Sequence, residues 1–163
     1  MTEQIFSGVA RKIGQNKRQI ETALKVKLAI KSGVITINGA PENELICHEA
    51  IEAINLGFLV VQALDLKNEN FIFEQIPIKT LTRRNDLSQI RARIIGKQRK
   101  VARNIEYLTG CEIVVHNNTV GIIGQLDDVK LAARAIKRII IGSEMANVYR
   151  MLEEERARER AGF

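Results

Sequence analysis

The 163-residue sequence is short of several residue types, and each shortage excludes a class of protein. Its longest apolar stretches, such as residues 56–63 and 136–141, are far shorter than the roughly 20 residues that cross a bilayer, so no transmembrane helix is predicted. Aromatic residues make up 4% and tryptophan is absent, which predicts an aliphatic core and disfavours nucleic-acid binding on stacked aromatic platforms. Only 2 prolines, with 45% hydrophobic residues, are typical of a folded chain.

Reactive side chains are equally scarce. The only cysteines are Cys47 and Cys111 and the only histidines are His48 and His116, and these are interpreted as buried small hydrophobes and surface imidazoles. No nucleophile with a base, carboxylate pair or set of metal ligands is evident, so the sequence predicts no catalytic residue, no metal, no cofactor and no enzyme. The amino terminus has no basic flank before an apolar stretch, so a cytoplasmic protein is expected.

Positive charge is concentrated in the second half of the chain. The formal net charge is +6, yet residues 1–80 hold 9 basic and 9 acidic side chains, and the whole surplus therefore follows residue 80. A dense basic segment opposed only by Asp86 indicates a polyanionic partner. Its members are Arg83, Arg84, Arg91, Arg93, Lys97, Arg99, Lys100 and Arg103.

An internal repeat organises the chain. With an offset of 85 positions and no gap, identical residues recur throughout both halves, and apolar positions agree where identity fails. The identical pairs are Lys12 and Lys97, Arg18 and Arg103, Ile20 and Ile105, Glu21 and Glu106, Ile37 and Ile122, Gly39 and Gly124, Ala50 and Ala135, Ile51 and Ile136, Ile54 and Ile139, and Gly57 and Gly142. The repeat predicts two similar folded units.

Hydrophobic spacing predicts an α+β fold in which each unit runs helix, helix, strand, strand, helix. An opening strand is clear in the second unit (71–78) and short or missing in the first. We predict a first domain at 1–66, a second at 67–147 and a charged helix at 148–163 whose mixed charges form a solvated face. Tight turns are expected at Ser32-Gly33 and Asn117-Asn118.

The junction between the first two helices of the second unit is the candidate binding site. A glycine allows a phosphate backbone to approach the main chain, a helix amino terminus offers free N–H groups, and Lys and Arg add charge. All three coincide in the stretch Ile-Gly-Lys-Gln-Arg-Lys at 95–100. The residues predicted to bind nucleic acid are Arg93, Gly96, Lys97, Gln98, Arg99, Lys100 and Arg103.

This order of elements, with an Ile-Gly-x-x-Gly type loop, resembles the KH domain, whose loop clamps about four nucleotides. Together with the stretches 104–111, 119–124 and 148–153, the chain resembles the archaeal tandem-KH RNA-processing proteins, relatives of the eukaryotic small-subunit assembly factor called partner of Nob-one. The resemblance implies two tandem type I KH domains, each a three-stranded sheet with three helices, followed by a C-terminal helix. Positions 95, 101, 113 and 115 correspond to the family's apolar groove, although most such residues are simply core.

The resemblance also implies a function, namely binding of the 3′ region of small-subunit ribosomal RNA during processing and ribosome assembly. The implied partners are single-stranded RNA, a processing nuclease, other assembly factors and an initiation-factor subunit, with no membrane. Residue Arg99 departs from the family pattern because it replaces the second loop glycine, and it either contacts a phosphate or fills the space.

The first unit departs further from the family pattern. Its aligned loop, Arg-Lys-Ile-Gly at 11–14, lacks the first glycine, and its charges are balanced. We therefore interpret this unit as degenerate and scaffold-like, with secondary RNA contacts at Arg11, Lys12, Gly14, Lys17 and Arg18. The alternative for the whole chain is a protein-interaction scaffold of tandem degenerate KH domains with weak, nonspecific RNA affinity.

Overall fold

The computed structural model describes residues 2–5 and 8–162, and the chain divides into two compact units, residues 1–71 and 72–163. Each unit holds one three-stranded sheet with helices packed beside it. The α+β class predicted from hydrophobic spacing is confirmed.

The first unit has a short opening strand, which answers the question that the sequence left open. Strand β1 (Thr2–Ile5) pairs antiparallel with β3 (Val34–Gly39), and β3 pairs antiparallel with β2 (Val26–Lys31). The sheet order is therefore β1-β3-β2, and β2 is an edge strand. A short helix at Val60–Ala63 and a 3-10 turn at Leu64–Lys67 follow the long third helix. The elements are β1 (Thr2–Ile5), α1 (Ala10–Gln15), α2 (Lys17–Leu24), β2 (Val26–Lys31), β3 (Val34–Gly39), α3 (Pro41–Leu56) and α4 (Val60–Ala63).

The second unit repeats this plan and carries one further long helix. Its sheet order is β4-β6-β5, so β5 is again an edge strand. The predicted strand over 71–78 is confirmed as β4 except for Ile78, which opens a 3-10 turn. The elements are β4 (Phe71–Pro77), α5 (Leu87–Ile95), α6 (Lys100–Thr109), β5 (Glu112–His116), β6 (Thr119–Gln125), α7 (Leu126–Ile140) and α8 (Met145–Arg160).

Both hairpins turn where the sequence predicts them. Ser32, Gly33, Asn117 and Asn118 all have positive φ, between 48° and 78°. Two successive residues with positive φ match the right-handed twist of the flanking strands, which is why glycine and asparagine favour such turns. The hairpins set the registers Ile30 to Ile35 and Val115 to Val120.

Helix α8 is an integral part of the second unit. Val148, Met151 and Leu152 are buried in the same aliphatic core as α5, α6 and α7. The Arg156 guanidinium donates to the Leu108 carbonyl oxygen at the end of α6. The remaining charges, such as those of Glu153 and Arg158, are exposed, as expected for a solvated face.

The two cysteines are free and buried, which confirms their interpretation as core residues. Burial raises the pKa of the Cys47 thiol to about 12 and that of Cys111 to about 11, so both stay protonated at neutral pH. Because the thiolate is the reactive form, we expect no reaction with a disulfide reagent at pH 8 in native buffer. In denaturant both thiols should react, and a thiol that reacts rapidly in the folded protein would contradict this packing.

Among the described residues, none of the helices combines the length and the apolar composition needed to span a membrane.

Candidate nucleic-acid interface

The joint between α5 and α6 is a sharp loop built from left-handed backbone. Helix α5 ends at Ile95, Gly96 has a φ of 76° and a ψ of 169°, and α6 begins at Lys100. Between them, Gln98 and Arg99 adopt φ values of 54° and 61°, which non-glycine residues seldom do. The loop therefore turns the chain within four residues.

Gly96 is required by the packing of the loop itself. A Cβ placed on Gly96 would lie 2.5 Å from Val101 Cγ2 and 2.7 Å from the Val101 backbone nitrogen. The sequence suggested that this glycine allows a phosphate to approach, whereas the structure shows that its first effect is to let the loop close against the start of α6.

A basic cavity opens at the loop. It has a volume of ≈ 270 Å³, and all but Asn104 of its lining residues were predicted to bind RNA. Its three cations, Lys97, Lys100 and Arg103, are exposed and take part in no ion pair within residues 8–162. The lining residues are Lys97, Gln98, Lys100, Arg103 and Asn104. We name them the loop cavity.

Asp86, the single acidic residue of the basic segment, forms an ion pair with Arg84. Arg84 Nε donates to Asp86 Oδ1 at 2.8 Å, and this hydrogen bond holds the pKa of the Asp86 carboxyl below its usual value. The first turn of α6 holds no acidic residue, so the partial positive charge of the helix amino terminus adds to the charges of the lysines. The lining of the loop cavity therefore contains three cations, two amides and no acidic side chain.

Arg99 does not point away from the protein. Its Nη2 donates to the Ile113 carbonyl oxygen at 3.2 Å and lies 3.4 Å from Glu106 Oε1. Ile113 belongs to the edge strand β5, so the guanidinium spans the space between α6 and that strand. The arginine therefore occupies space that a glycine would leave open, while its side chain stays 47% exposed.

Arg93 is already engaged inside the second unit. Its guanidinium donates to the Ile139 carbonyl oxygen at 3.0 Å and to the Ser143 carbonyl oxygen at 2.7 Å. Arg93 thereby ties α5 to the carboxyl end of α7, where free carbonyl groups accept such bonds. Although it was predicted to bind RNA, its position gives it a structural role.

Four apolar positions correspond to the groove of the family. Ile95, Val101 and Val115 are half-buried, whereas Ile113 belongs to the core. Three of the four positions that the resemblance assigns to the groove are therefore partly accessible to solvent.

The prediction that residues 11–14 form a loop is wrong. Arg11, Lys12 and Gly14 lie within α1, and the joint with α2 falls at Asn16. Helix α1 begins at Ala10, so these positions fall in its first four residues, and Ile13 is fully buried in the core. Lys12 Nζ reaches the Phe58 carbonyl oxygen at 3.4 Å, and only Arg11, Lys17 and Arg18 remain as exposed cations here.

One pair of side chains was missed by reasoning from the sequence. Glu106 Oε2 accepts the Ile113 backbone N–H at 3.1 Å, and Glu21 Oε2 accepts the Leu28 N–H at 2.8 Å. Both contacts join the second helix of a unit to its edge strand. The sequence contained one indication of these contacts, because Glu21 and Glu106 are identical at equivalent positions of the repeat. The hydrogen bond to the edge strand explains why both units have glutamate there.

Tyr107 was also overlooked. It is 86% exposed, the most exposed large apolar or aromatic side chain of the described residues. Helical spacing places it on the same face of α6 as Lys100 and Arg103. An aromatic ring beside two cations can contact a nucleobase.

A β-α-α-β-β-α unit with a glycine loop between its first two helices defines the KH class of nucleic-acid-binding fold. The family described as eukaryotic type KH domain (KH domain type I), the second KH domain of PNO1, matches residues 72–157. The chain belongs to this family of KH-domain proteins.

Named relatives match 61% to 93% of this chain. The KH domain-containing protein MJ0443 of Methanocaldococcus jannaschii is 34% identical over 160 residues, 93% of this chain and 70% of that protein. The pre-rRNA-processing protein PNO1 of Candida albicans is 33% identical over 103 residues, 61% of this chain, and the match spans 37% of its length.

Solved structures of Dim2p from Pyrococcus horikoshii OT3 have the same fold. Dim2p alone superposes with a TM-score of 0.84 at 30% identity, over 94% of this chain and 99% of that one. Dim2p in a complex with a/eIF2alpha and rRNA superposes with a TM-score of 0.83 at 29% identity, over 96% of this chain and 94% of that one.

Proposed function

We propose that this chain binds single-stranded RNA, and that its target is the 3′ region of small-subunit ribosomal RNA during processing and ribosome assembly in the cytoplasm. The loop cavity carries the proposal, because three cations that have no counter-ion among the described residues meet there at a glycine loop. The two units are tandem type I KH domains, of which the second is the principal RNA-binding domain.

The proposed contacts lie in the second unit. Lys97, Lys100 and Arg103 neutralise successive phosphates, and the N–H groups at the start of α6 add to the attraction. The bases then face the half-buried strip formed by Ile95, Val101 and Val115. Arg93 is left out of this surface because its guanidinium is bonded inside the unit.

The ribosomal target and the partners rest on the relatives. A Candida albicans relative is named a pre-rRNA-processing protein, and Dim2p was solved with rRNA and a/eIF2alpha. We propose that this chain likewise binds an initiation-factor subunit, and that it presents the RNA end to a processing nuclease alongside other assembly factors. It supplies binding and positioning and no catalytic group of its own.

The first unit supports a second, complementary role. Residues 11–14, which align with the loop of the second unit, are helical. Ile13 is buried, and Lys12 donates a hydrogen bond to the Phe58 carbonyl oxygen. These features favour a scaffold for protein partners over a second RNA-binding loop. Arg11, Lys17 and Arg18 remain the exposed cations through which this unit could still contact RNA.

The test is a fluorescence-anisotropy titration of the purified chain with the 3′ end of an archaeal small-subunit RNA and with a scrambled control, each at 50 mM and 200 mM salt. Three phosphate contacts on a single strand predict a slope of about −2 for log Kobs against log salt. We expect the native sequence to bind more tightly than the scrambled one at both concentrations. Equal binding that disappears at the higher salt would favour the protein-interaction scaffold.

A further inference from the structure

Tyr107 differs from every other aromatic side chain that the structure describes. It is 86% exposed, whereas Phe58 is fully buried and Phe71, Phe73 and Tyr149 are half-buried. Its hydroxyl makes no hydrogen bond within residues 8–162. The ring therefore adds little to the hydrophobic core, and most of its surface is open to a ligand.

Tyr107 lies on the face of α6 that carries two cations of the loop cavity. At roughly 3.6 residues per turn, Tyr107 is about 20° around the helix from Lys100 and about 40° from Arg103. The opposite face, with Ala102 and Ile105, is buried. At a rise of about 1.5 Å per residue, Tyr107 lies about 10 Å beyond Lys100 along the helix axis. The cationic face thus continues past the cavity to an exposed ring.

The first unit provides an internal comparison for this face. The four positions that correspond to Lys100, Arg103, Asn104 and Tyr107 line one cavity along α2, so they share a helix face in that unit too. Only one cation remains among them, and threonine stands in place of tyrosine. They are Gln15, Arg18, Gln19 and Thr22. The combination of two cations and an aromatic ring therefore belongs to the second unit and not to the equivalent face of the first.

We propose that Tyr107 stacks on a base of an RNA longer than the segment clamped by the loop, a role that rests on the proposed RNA binding. The strand then continues from the loop cavity along the exposed face of α6. Arg103, one helical turn before the ring, neutralises a phosphate of this extension. A tyrosine ring accepts any base on its face, so the contact adds affinity without sequence preference.

The length of RNA that reaches Tyr107 follows from the helix. A KH loop clamps about four nucleotides. Four further nucleotides extend about 14 Å even at the spacing of about 3.4 Å of a base-stacked strand, which exceeds the distance of about 10 Å from Lys100 to Tyr107. An RNA of eight nucleotides is therefore long enough to occupy both the loop cavity and the ring.

The experiment uses three eight-nucleotide RNAs with the sequence of a small-subunit 3′ end. One is complete, and the other two lack the bases, but not the phosphates, of the four nucleotides at the 5′ or at the 3′ end. Anisotropy titrations at 100 mM salt compare the full wild-type chain with Tyr107→Ala, Tyr107→Phe and Thr22→Ala. Thr22→Ala is the matched change on the equivalent face of the first unit.

Tyr107→Ala should bind the complete RNA about tenfold more weakly than the wild type, because one base loses its stacking partner. On one of the two partly abasic RNAs its loss should fall below twofold, since the base that faces the ring is already missing. Its salt dependence should equal that of the wild type, because no charge is removed. Tyr107→Phe keeps the ring and should bind like the wild type, as should Thr22→Ala.

Binding of the complete RNA by Tyr107→Ala within twofold of the wild type would overturn the role of Tyr107 and leave the proposed function intact. An equal loss on all three RNAs would overturn it as well, because the loss would then not depend on a base. Failure of the wild type to bind any of the three RNAs would instead overturn the proposed function, and the stacking role with it.

Discussion

Replacing Lys97 and Lys100 together with glutamate is expected to lower RNA affinity about 100-fold. Both side chains are exposed, line the loop cavity and form no ion pair within the described residues, so their reversal removes two phosphate contacts and adds repulsion without disturbing packing. Two charge-assisted contacts are together worth about 3 kcal/mol, and each 1.4 kcal/mol changes a dissociation constant tenfold. An anisotropy titration at 100 mM salt measures the loss.

The matched control is Lys17→Glu with Arg18→Glu, in the first turn of α2 in the first unit. It changes the net charge of the chain by the same amount and also alters two exposed cations. We expect the control to lower affinity less than about threefold, in line with a minor part in RNA binding for the first unit. Equal losses from the two double variants would mean that overall charge, and not the loop cavity, carries the binding.

Gly96→Ala is expected to destabilise the second unit by roughly 3 kcal/mol, since an alanine there has both a left-handed backbone and an overlap with neighbouring atoms. The new Cβ would lie 2.5 Å from Val101 Cγ2 and 2.7 Å from the Val101 nitrogen, and the latter is backbone at the start of α6. In a unit of this size each kcal/mol lowers Tm by about 4–8 °C. A calorimetric scan should therefore show a fall of more than about 10 °C.

Gly110→Ala tests a positive φ without the overlap, at a ψ of 9° where Gly96 has 169°. Gly110 also has a positive φ, 74°, but the nearest atom to its added Cβ is Arg156 Nη2 at 3.6 Å, an ordinary contact. Its cost should be only the backbone strain, about 1 kcal/mol. If both variants were equally destabilised, the overlap with Val101 would have no importance. For the same reason, lost RNA binding in a Gly96 variant would not identify this residue as a contact.

Local patterns predicted most of the fold because they act over a few residues. The alternation of Val26, Leu28 and Ile30 defines β2, and the asparagine pair at 117–118 fixes the second hairpin. The gapless repeat failed before α2, where Lys12 and Lys97 are identical yet lie in a helix and in a loop. In the first unit α1 begins only at Ala10 and its joint with α2 falls at Asn16, whereas α5 already ends at Ile95, so the two joints do not align at an offset of 85.

The sequence predicts which residue types lie at the candidate site. It does not predict where their side chains point or which groups they contact. Lys97 and Arg93 are both cations beside the loop, yet the partners of Arg93 are carbonyl groups 46 and 50 positions away along the chain. Such distant partners leave no trace in a local pattern. The same holds for Arg99, whose contact with Ile113 depends on how β5 lies beside α6.

The bonds from Glu21 and Glu106 to the edge strands also bear on self-association. An exposed strand edge offers unpaired N–H and C=O groups on which another chain can add a strand, the first step of aggregation. In each unit a carboxylate anchored on the neighbouring helix occupies an N–H in the middle of that edge and places negative charge there. On β2 and β5 one outward N–H is thereby already bonded, which makes these two strands poorer templates for the extended backbone of a second copy.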